Sequence, residues 1–143
     1  MSDLYQKTLV DHARHPRNFG PLPGANRHAE GVNPLCGDEL TLHLQLAGAR
    51  IEAIAFEGAG CAICLASASM MTLAVKERTS GEAAELMQRV QSLLAGADPA
   101  NLGDLAALGG VAQFPARIKC ALLAWRALEA ALAGVPGAVS TEL

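Results

Sequence analysis

Hydrophobic and polar residues alternate most regularly from Leu40 to Leu46, where four leucines are separated by Thr, His and Gln. A period of two predicts a strand with one buried and one solvated face. A short turn and a second apolar segment, Ile51 to Glu57, follow, so the pair is predicted to form an antiparallel hairpin. Residues 25–32 are predicted to form a third, weaker strand. His43 falls on the polar face and is interpreted as solvated rather than as a ligand.

Helical periodicity accounts for most of the remaining chain. Ser2 is a predicted N-cap for the first helix and Pro16 is its stop, while Thr79 and Glu82 have the spacing of a capping box. Proline near the start and glycine after the end delimit the last predicted helix, Pro115 to Ala133. The other predicted helices cover residues 62–78, 80–94 and 102–108.

This succession of elements predicts an α+β fold, with a small antiparallel sheet covered by helices, in a single domain spanning residues 1–143. A chain of this length can fold without disulfides. Residues 135–143 are predicted to be a flexible tail, and residues 79–110 an insertion that packs or faces a partner. His12 and His15 are potential ligands, but the preferred interpretation is a polar helix end exposed to water.

The composition and net charge of the chain limit the classes of function that it can have. Hydrophobic residues make up 51% of the chain and aromatic residues only 3%, so the core is predicted to be aliphatic and rich in alanine. A net charge of −3 and few aromatic rings argue against nucleic-acid binding, and no apolar segment is long enough to span a bilayer. The acidic, helix-like amino terminus does not resemble a signal peptide. We therefore expect a cytoplasmic protein whose four cysteines are metal ligands or reactive groups rather than disulfides.

One short segment just before the Leu40–Leu46 strand, Asn33 to Asp38, places a thiol and a carboxylate two residues apart. Cys36 and Asp38 can face the same point because side chains at i and i+2 share a direction, and Gly37 permits turn geometry. Cys61 follows the second strand at or just before a helix N-terminus, which favours a thiolate. Because a hairpin returns the chain to its start, these three ligands are predicted to meet at one end of the sheet.

The other two cysteines lie on predicted helices. Cys120, in the last helix, has Arg117 and Lys119 nearby, and these cations are expected to push its thiol toward the thiolate. Cys64 forms a C-x-x-C pattern with Cys61 and shares a helix face with it. Cys64 is either a further site residue or a small buried side chain, and burial is the preferred interpretation.

Three cysteines and one aspartate, from a loop, a helix start and a late helix, form a set that suits tetrahedral zinc: Cys36, Asp38, Cys61 and Cys120. Closed structural zinc sites usually use paired C-x-x-C knuckles, whereas this mixed set has one oxygen ligand that is easily displaced and so suits ligand exchange. Zinc holds a thiolate deprotonated but nucleophilic, and a released thiolate can attack a persulfide and carry its terminal sulfur away. On spacing alone, scattered structural cysteines remain the alternative.

An ordered set of motifs runs along nearly the whole chain. The motifs are Cys36-Gly37-Asp38, Gly58-x-Gly60-Cys61 with Ala66–Met71 behind it, Phe114–Cys120, Asp11–Asn18 and Leu102–Asp104. Together they resemble the SufU branch of the IscU/NifU N-terminal domain superfamily. The resemblance implies a three-stranded sheet with about six helices and a metal site at one end of the sheet.

The resemblance also implies an activity, that of a zinc-dependent sulfurtransferase. Its zinc ligands would be Cys36, Asp38, Cys61 and Cys120. Cys36 would accept persulfide sulfur from a cysteine desulfurase of the SufS type, after a desulfurase histidine takes its place on zinc. The sulfur would then pass toward a SufBCD-type assembly complex. Arg117 matches an arginine of the family, for which an electrostatic or docking role is expected.

Two features favour the SufU branch over the iron–sulfur scaffold IscU, which is the alternative. IscU-type scaffolds have a histidine directly before the last cysteine, where this chain has Lys119. SufU-type chains have a longer segment between the second and third cysteines, and residues 79–110 supply it here. Cys64 departs from the commoner small polar residue, which leaves open whether Asp38 or Cys64 completes the zinc sphere when the site is disturbed. A third hypothesis is a non-catalytic interaction module with a structural zinc.

Overall fold

The computed structural model describes residues 3–134 and 138–140, which form the predicted α+β fold. The strands are β1 (Arg27–Asn33), β2 (Asp38–Ala47), β3 (Arg50–Ala59) and β4 (Ala138–Ser140). The helices are α1 (Asp3–Arg14), α2 (Ala62–Val75), α3 (Ser80–Leu94) and α4 (Pro115–Ala133), with a 3₁₀ segment (Gly103–Gln113) before α4. The described residues therefore contain four α-helices and one 3₁₀ segment, where about six helices were expected.

The sheet has the strand order β3-β2-β1-β4. Strands β1, β2 and β3 are antiparallel as predicted, and the leucines at 40, 42 and 44 are buried on one face of β2. Strand β4 pairs in parallel with β1. Residues 138–140 belong to the segment predicted to be a flexible tail, and pairing with the edge of β1 gives their backbone hydrogen-bond partners. The rest of that segment, 135–137 and 141–143, lies outside the described residues.

Helices α2 and α4 pack on the apolar face of the sheet and against each other. Trp125 of α4 is fully buried, and its Nε1 donates to Oγ of Ser67 on α2 at 3.2 Å. The same hydroxyl donates to the carbonyl of Ala121 at 2.6 Å, so both polar groups are satisfied within the core. Cys120, also on α4, is fully buried, and its Sγ lies against the β1–β2 turn, 3.4 Å from Nδ2 of Asn33.

The capping box at the start of α3 is confirmed. The backbone N–H of Glu82 donates to Oγ1 of Thr79 at 3.1 Å, and the N–H of Thr79 donates to Oε1 of Glu82 at 3.0 Å. Helix α2 ends at Val75 rather than residue 78, because the chain turns there and the carbonyl of Arg78 accepts from the N–H of Ile51 at 2.8 Å. None of the described helices is long and apolar enough to cross a membrane.

Candidate metal site

The turn between β1 and β2 carries the first two predicted ligands. Asn33 and Asp38 are the last register pair of these strands, so the loop that holds Cys36 begins and ends at this pair. Gly37 has a φ of 70°, a left-handed conformation that glycine adopts at little cost. Asp38 is buried whereas Cys36 is half-buried. The turn thus leaves the thiol partly accessible and encloses the carboxylate.

Cys120 reaches the same place from the second turn of α4. Its Sγ lies 3.2 Å from Sγ of Cys36, although 84 positions separate the two residues. Cys36, Asp38 and Cys120 each offer a ligand atom that lies within 4.8 Å of the other two. The structure therefore brings together three of the four residues that the sequence proposed as metal ligands.

Cys61, the fourth, lies beside this group. It is the N-cap residue of α2, and its backbone N–H donates to Oδ1 of Asp38 at 2.8 Å. Its thiol does not join the group of mutually close ligand atoms found in the described part of the chain. The thiol is nonetheless close to that of Cys120, and a hydrogen bond between the two is one of the causes that raise the pKa of Cys120. Cys61 is thus hydrogen-bonded to Asp38 through its backbone and close to Cys120 through its side chain.

Asn33 is a site residue to which the sequence analysis gave no role. Its side chain is buried, and its Nδ2 lies 3.1 Å from Oδ2 of Asp38 and 3.4 Å from Sγ of Cys120. Its Oδ1 is a buried acceptor without a partner among the described residues. An amide that donates toward both a carboxylate and a thiol orients the two groups, as outer partners of metal ligands do. The sequence carried no signal for this role, because the pairing of Asn33 with Asp38 is set by the register of β1 and β2.

Glycine at position 60 leaves space for the carboxylate of Asp38. A Cβ at Gly60 would lie 2.7 Å from Oδ1 of Asp38, which is closer than such atoms approach. The N–H of Cys61 and the Nδ2 of Asn33 then hold the two oxygens of the carboxylate separately. Steric contact with Asp38 therefore explains why the second position of the Gly-x-Gly-Cys motif is a glycine.

The electrostatics of Cys120 differ from the expectation. The sequence predicted that neighbouring cations would favour its thiolate, but the pKa of Cys120 is raised. Burial is the largest cause, and hydrogen bonds with Cys36, Cys61 and Asp38 add to it. The prediction was wrong because it counted sequence neighbours and not the desolvation of a thiol that is fully buried.

Arg117 lies at the exposed edge of the site. Its Nη1 is 3.6 Å from Sγ of Cys36. The pKa of Arg117 is raised, first by a hydrogen bond with Cys120 and then by the charges of Cys61 and Cys36. The guanidinium is therefore positioned to stabilise negative charge on the sulfur atoms of the site.

Cys64 is fully buried in the core, as the preferred interpretation had it. Burial raises the pKa of its thiol, and the nearby charges of Asp38, Cys61 and Cys36 act in the same direction. It is not a member of the close ligand group in the described residues, whereas Asp38 is. The geometry therefore favours Asp38 over Cys64 as the residue that completes the ligand set.

The histidines fall outside the site. His15 is exposed as expected, but His12 is buried, with its Nδ1 2.7 Å from Oγ of Ser69 on α2. The expectation of a water-exposed helix end was thus wrong for His12, because its partner is 57 positions away in the sequence. His43, predicted to be solvated, is largely covered: its Nε2 lies 2.8 Å from Oε1 of Glu57 and its side chain is 14% exposed.

The donor atoms of the site fit zinc. Thiolate sulfur and carboxylate oxygen are both zinc ligands, and a mixed set of this kind is found where a metal exchanges ligands or substrates. The Nδ2 of Asn33 and the N–H of Cys61 orient the carboxylate, as outer partners of metal ligands do. The site can therefore hold a metal ion and can also expose one thiol to a partner.

The fold and this site define a known class of protein. The model of the NifU-like N terminal domain family matches residues 4–140, and the chain belongs to this family. The resemblance found in the motifs is thereby confirmed at the level of the superfamily.

Named relatives refine this assignment. The chain is 41% identical over 140 residues to the zinc-dependent sulfurtransferase SufU of Bacillus subtilis (strain 168), which covers 96% of this chain and 95% of that protein. It is also 41% identical over 135 residues to the iron–sulfur cluster assembly scaffold protein IscU of Streptococcus pyogenes serotype M1, covering 92% and 84%. A solved structure from Fervidobacterium islandicum AW-1, described as an iron–sulfur cluster assembly scaffold for the SUF system, matches with a TM-score of 0.83 and 34% identity, covering 92% and 96%.

Proposed function

We propose that the chain is a zinc-dependent sulfurtransferase that accepts persulfide sulfur from a cysteine desulfurase of the SufS type and delivers it for iron–sulfur cluster assembly. The observation that carries this proposal is the convergence of Cys36, Asp38 and Cys120, in which Cys36 is the partly accessible thiol on a turn. The similarity to a zinc-dependent sulfurtransferase over nearly the full length of both chains supports it.

Cys36 is the proposed sulfur acceptor. As a thiolate it attacks the terminal sulfur of the desulfurase persulfide, and a new S–S bond forms to Cys36. The S–S bond of the donor persulfide breaks at the same time, and the donor cysteine leaves as a thiolate. The step needs no external oxidant or reductant, because one S–S bond replaces another.

Cys36, Asp38, Cys61 and Cys120 are the proposed zinc ligands. Bound zinc supplies positive charge that keeps coordinating thiols deprotonated at neutral pH. That charge matters most at Cys120, because burial raises the pKa of its thiol. The carboxylate of Asp38, held by two N–H donors, supplies the one oxygen ligand of the set.

Arg117 is proposed to support the acceptor. Its guanidinium lies 3.6 Å from Sγ of Cys36 at the exposed edge of the site, where it stabilises a thiolate or a persulfide anion on that sulfur. The same edge is the proposed docking surface for the desulfurase. A SufBCD-type complex is the proposed recipient of the sulfur, and the cytoplasm, where thiols stay reduced, the proposed location.

Persulfide mapping tests the role of Cys36. The zinc-loaded chain is incubated with a SufS-type desulfurase and cysteine without oxygen, alkylated, and analysed by peptide mass spectrometry. We expect one added sulfur atom on the peptide containing Cys36, and its loss in the Cys36→Ala variant. Cys64→Ala is the matched control, because Cys64 is buried in the core and outside the ligand group. Persulfide on another cysteine of Cys36→Ala, at the wild-type level, would overturn the assignment.

An IscU-type scaffold that holds an iron–sulfur cluster is the second candidate. The scaffold protein of that name and the SufU sulfurtransferase have the same sequence identity to the chain, 41%. Anaerobic reconstitution with iron and sulfide separates the two functions. A stable cluster that transfers to an apo-protein would favour the scaffold. Retention of zinc and no stable cluster is the outcome expected of the sulfurtransferase.

A further inference from the structure

Two histidines face each other on the solvent side of the sheet, away from the cysteine site. His28 on β1 and His43 on β2 are directly opposite in the antiparallel register. Their Nδ1 atoms lie 2.8 Å apart, and the rings are nearly perpendicular with centroids 5.0 Å apart. Because paired strands fix the separation of such opposed side chains, the two nitrogens are held close together by the backbone.

Glu57 on β3 determines the tautomer of His43. Its Oε1 lies 2.8 Å from Nε2 of His43, and an ionised carboxylate can only accept, so the ring proton of neutral His43 is on Nε2. The lone pair of His43 is therefore on Nδ1 and points at the Nδ1 of His28. A carboxylate that orients an imidazole in this way is the usual outer partner of a metal-binding histidine.

We propose that His28 and His43 form a second metal site, for a divalent transition metal that favours imidazole nitrogen in a tetragonal geometry. The metal takes both Nδ1 atoms, Glu57 orients His43 from outside, and the proton on Nδ1 of His28 moves to its other ring nitrogen. The site is independent of the proposed sulfurtransferase activity.

The spacing of the nitrogens allows both to bind one metal ion. The observed 2.8 Å is the distance of an N–H···N hydrogen bond between the two rings. Two nitrogens about 2.05 Å from a metal are about 2.9 Å apart at a right angle, so a metal can replace this hydrogen bond with little change in the distance. Right-angled coordination by imidazole nitrogen is typical of Ni²⁺ and Cu²⁺. Exposure of His28 leaves room for water to complete the coordination.

Titration of the zinc-loaded chain with Ni²⁺ alone, followed by calorimetry, tests the proposal. We expect one Ni²⁺ to bind, with at least about tenfold lower affinity in His28→Ala and in His43→Ala, and about tenfold lower affinity in Glu57→Gln. His15→Ala is the matched control, because His15 is an exposed histidine that follows α1 and is not on the sheet, and it is expected to bind Ni²⁺ like the wild type. His28 is itself exposed, so His28→Ala is expected to remain folded. Thermal unfolding in the absence of Ni²⁺, compared with the wild type, verifies this.

Two results would overturn the site. One is an equal Ni²⁺ affinity in the wild type and in the double variant His28→Ala/His43→Ala. The other is Ni²⁺ binding that disappears in Cys36→Ala but persists in both histidine variants, which would place the ion on the cysteines. Neither result bears on sulfur transfer, so failure of this site and failure of the proposed function are distinguishable.

Discussion

Asn33 donates from Nδ2 to Oδ2 of Asp38 at 3.1 Å, across the last register pair of β1 and β2. The other carboxylate oxygen accepts from the N–H of Cys61 at 2.8 Å. Asn33 on β1 and Cys61 at the start of α2 thus fix the orientation of the Asp38 carboxylate. The predictions on metal retention follow from this anchoring.

Asn33→Ala removes the donor that holds Oδ2 of Asp38. Zinc affinity is expected to fall by about 10- to 100-fold, the usual effect of losing an outer partner of a metal ligand. Competition with a chromophoric chelator measures it. Asn26→Ala is the control, because Asn26 bonds to the backbone of Leu46 and not to the site. An unchanged zinc affinity in a folded Asn33→Ala protein would show that Asn33 has no part in the site.

Gly60→Ala is expected to displace the carboxylate of Asp38, since the new Cβ would lie 2.7 Å from Oδ1. Zinc affinity should fall by about tenfold or more, in line with the loss of a correctly oriented ligand. Gly81→Ala in the first turn of α3 is the matched control, because its nearest atom, Oγ1 of Thr79, lies 3.9 Å away. The same chelator competition applies, and retention of wild-type affinity by Gly60→Ala would contradict the steric argument.

The fold could be predicted from the sequence to a large extent, because β2 alternates regularly, an apolar segment follows it after a short turn, and α3 and α4 have recognisable start signals. Hairpin geometry predicted that Cys36, Asp38 and Cys61 would meet, whereas the inclusion of Cys120 came from the donor set and the family motifs; the structure groups Cys36 and Asp38 with Cys120 and places Cys61 beside them. The role of Asn33 and the burial of His12 could not be predicted, because each depends on a partner that only tertiary structure supplies. The raised pKa of Cys120 has the same origin, namely burial by distant elements.

His12 makes stability dependent on pH. Burial lowers its pKa below the ordinary value of 6.5, so the unfolded chain binds the proton more readily than the folded chain. Its contribution is therefore complete above pH 6.5 and is lost as the pH falls through that value toward the lowered pKa. Denaturant unfolding between about pH 5 and pH 8 measures this slope.

Replacement of His12 isolates its share of that slope. His12→Gln cannot titrate, so the decline in unfolding free energy below pH 6.5 is expected to be shallower than in the wild type. His15→Ala, which changes an exposed histidine, is expected to keep the wild-type slope. Identical slopes for His12→Gln and the wild type would refute the assignment.

Thr79→Ala removes the capping box of α3. A cost of about 1 kcal/mol in the free energy of unfolding is expected, because the backbone N–H of Glu82 loses its acceptor, Oγ1 of Thr79. Thr8→Ala is the control, since Thr8 bonds only within its own helix at the carbonyl of Leu4. Chemical denaturation measures the free energy of unfolding of both variants. An equal decrease in Thr79→Ala and Thr8→Ala would contradict a stabilising role of the capping box.

Turnover of a SufS-type cysteine desulfurase, with this chain added in zinc-loaded or zinc-stripped form under anaerobic conditions, tests the central claim most directly. The account predicts strong stimulation by the zinc-loaded protein and little by the stripped protein. Equal stimulation by the stripped protein would contradict a zinc-dependent sulfur acceptor and favour the iron–sulfur scaffold.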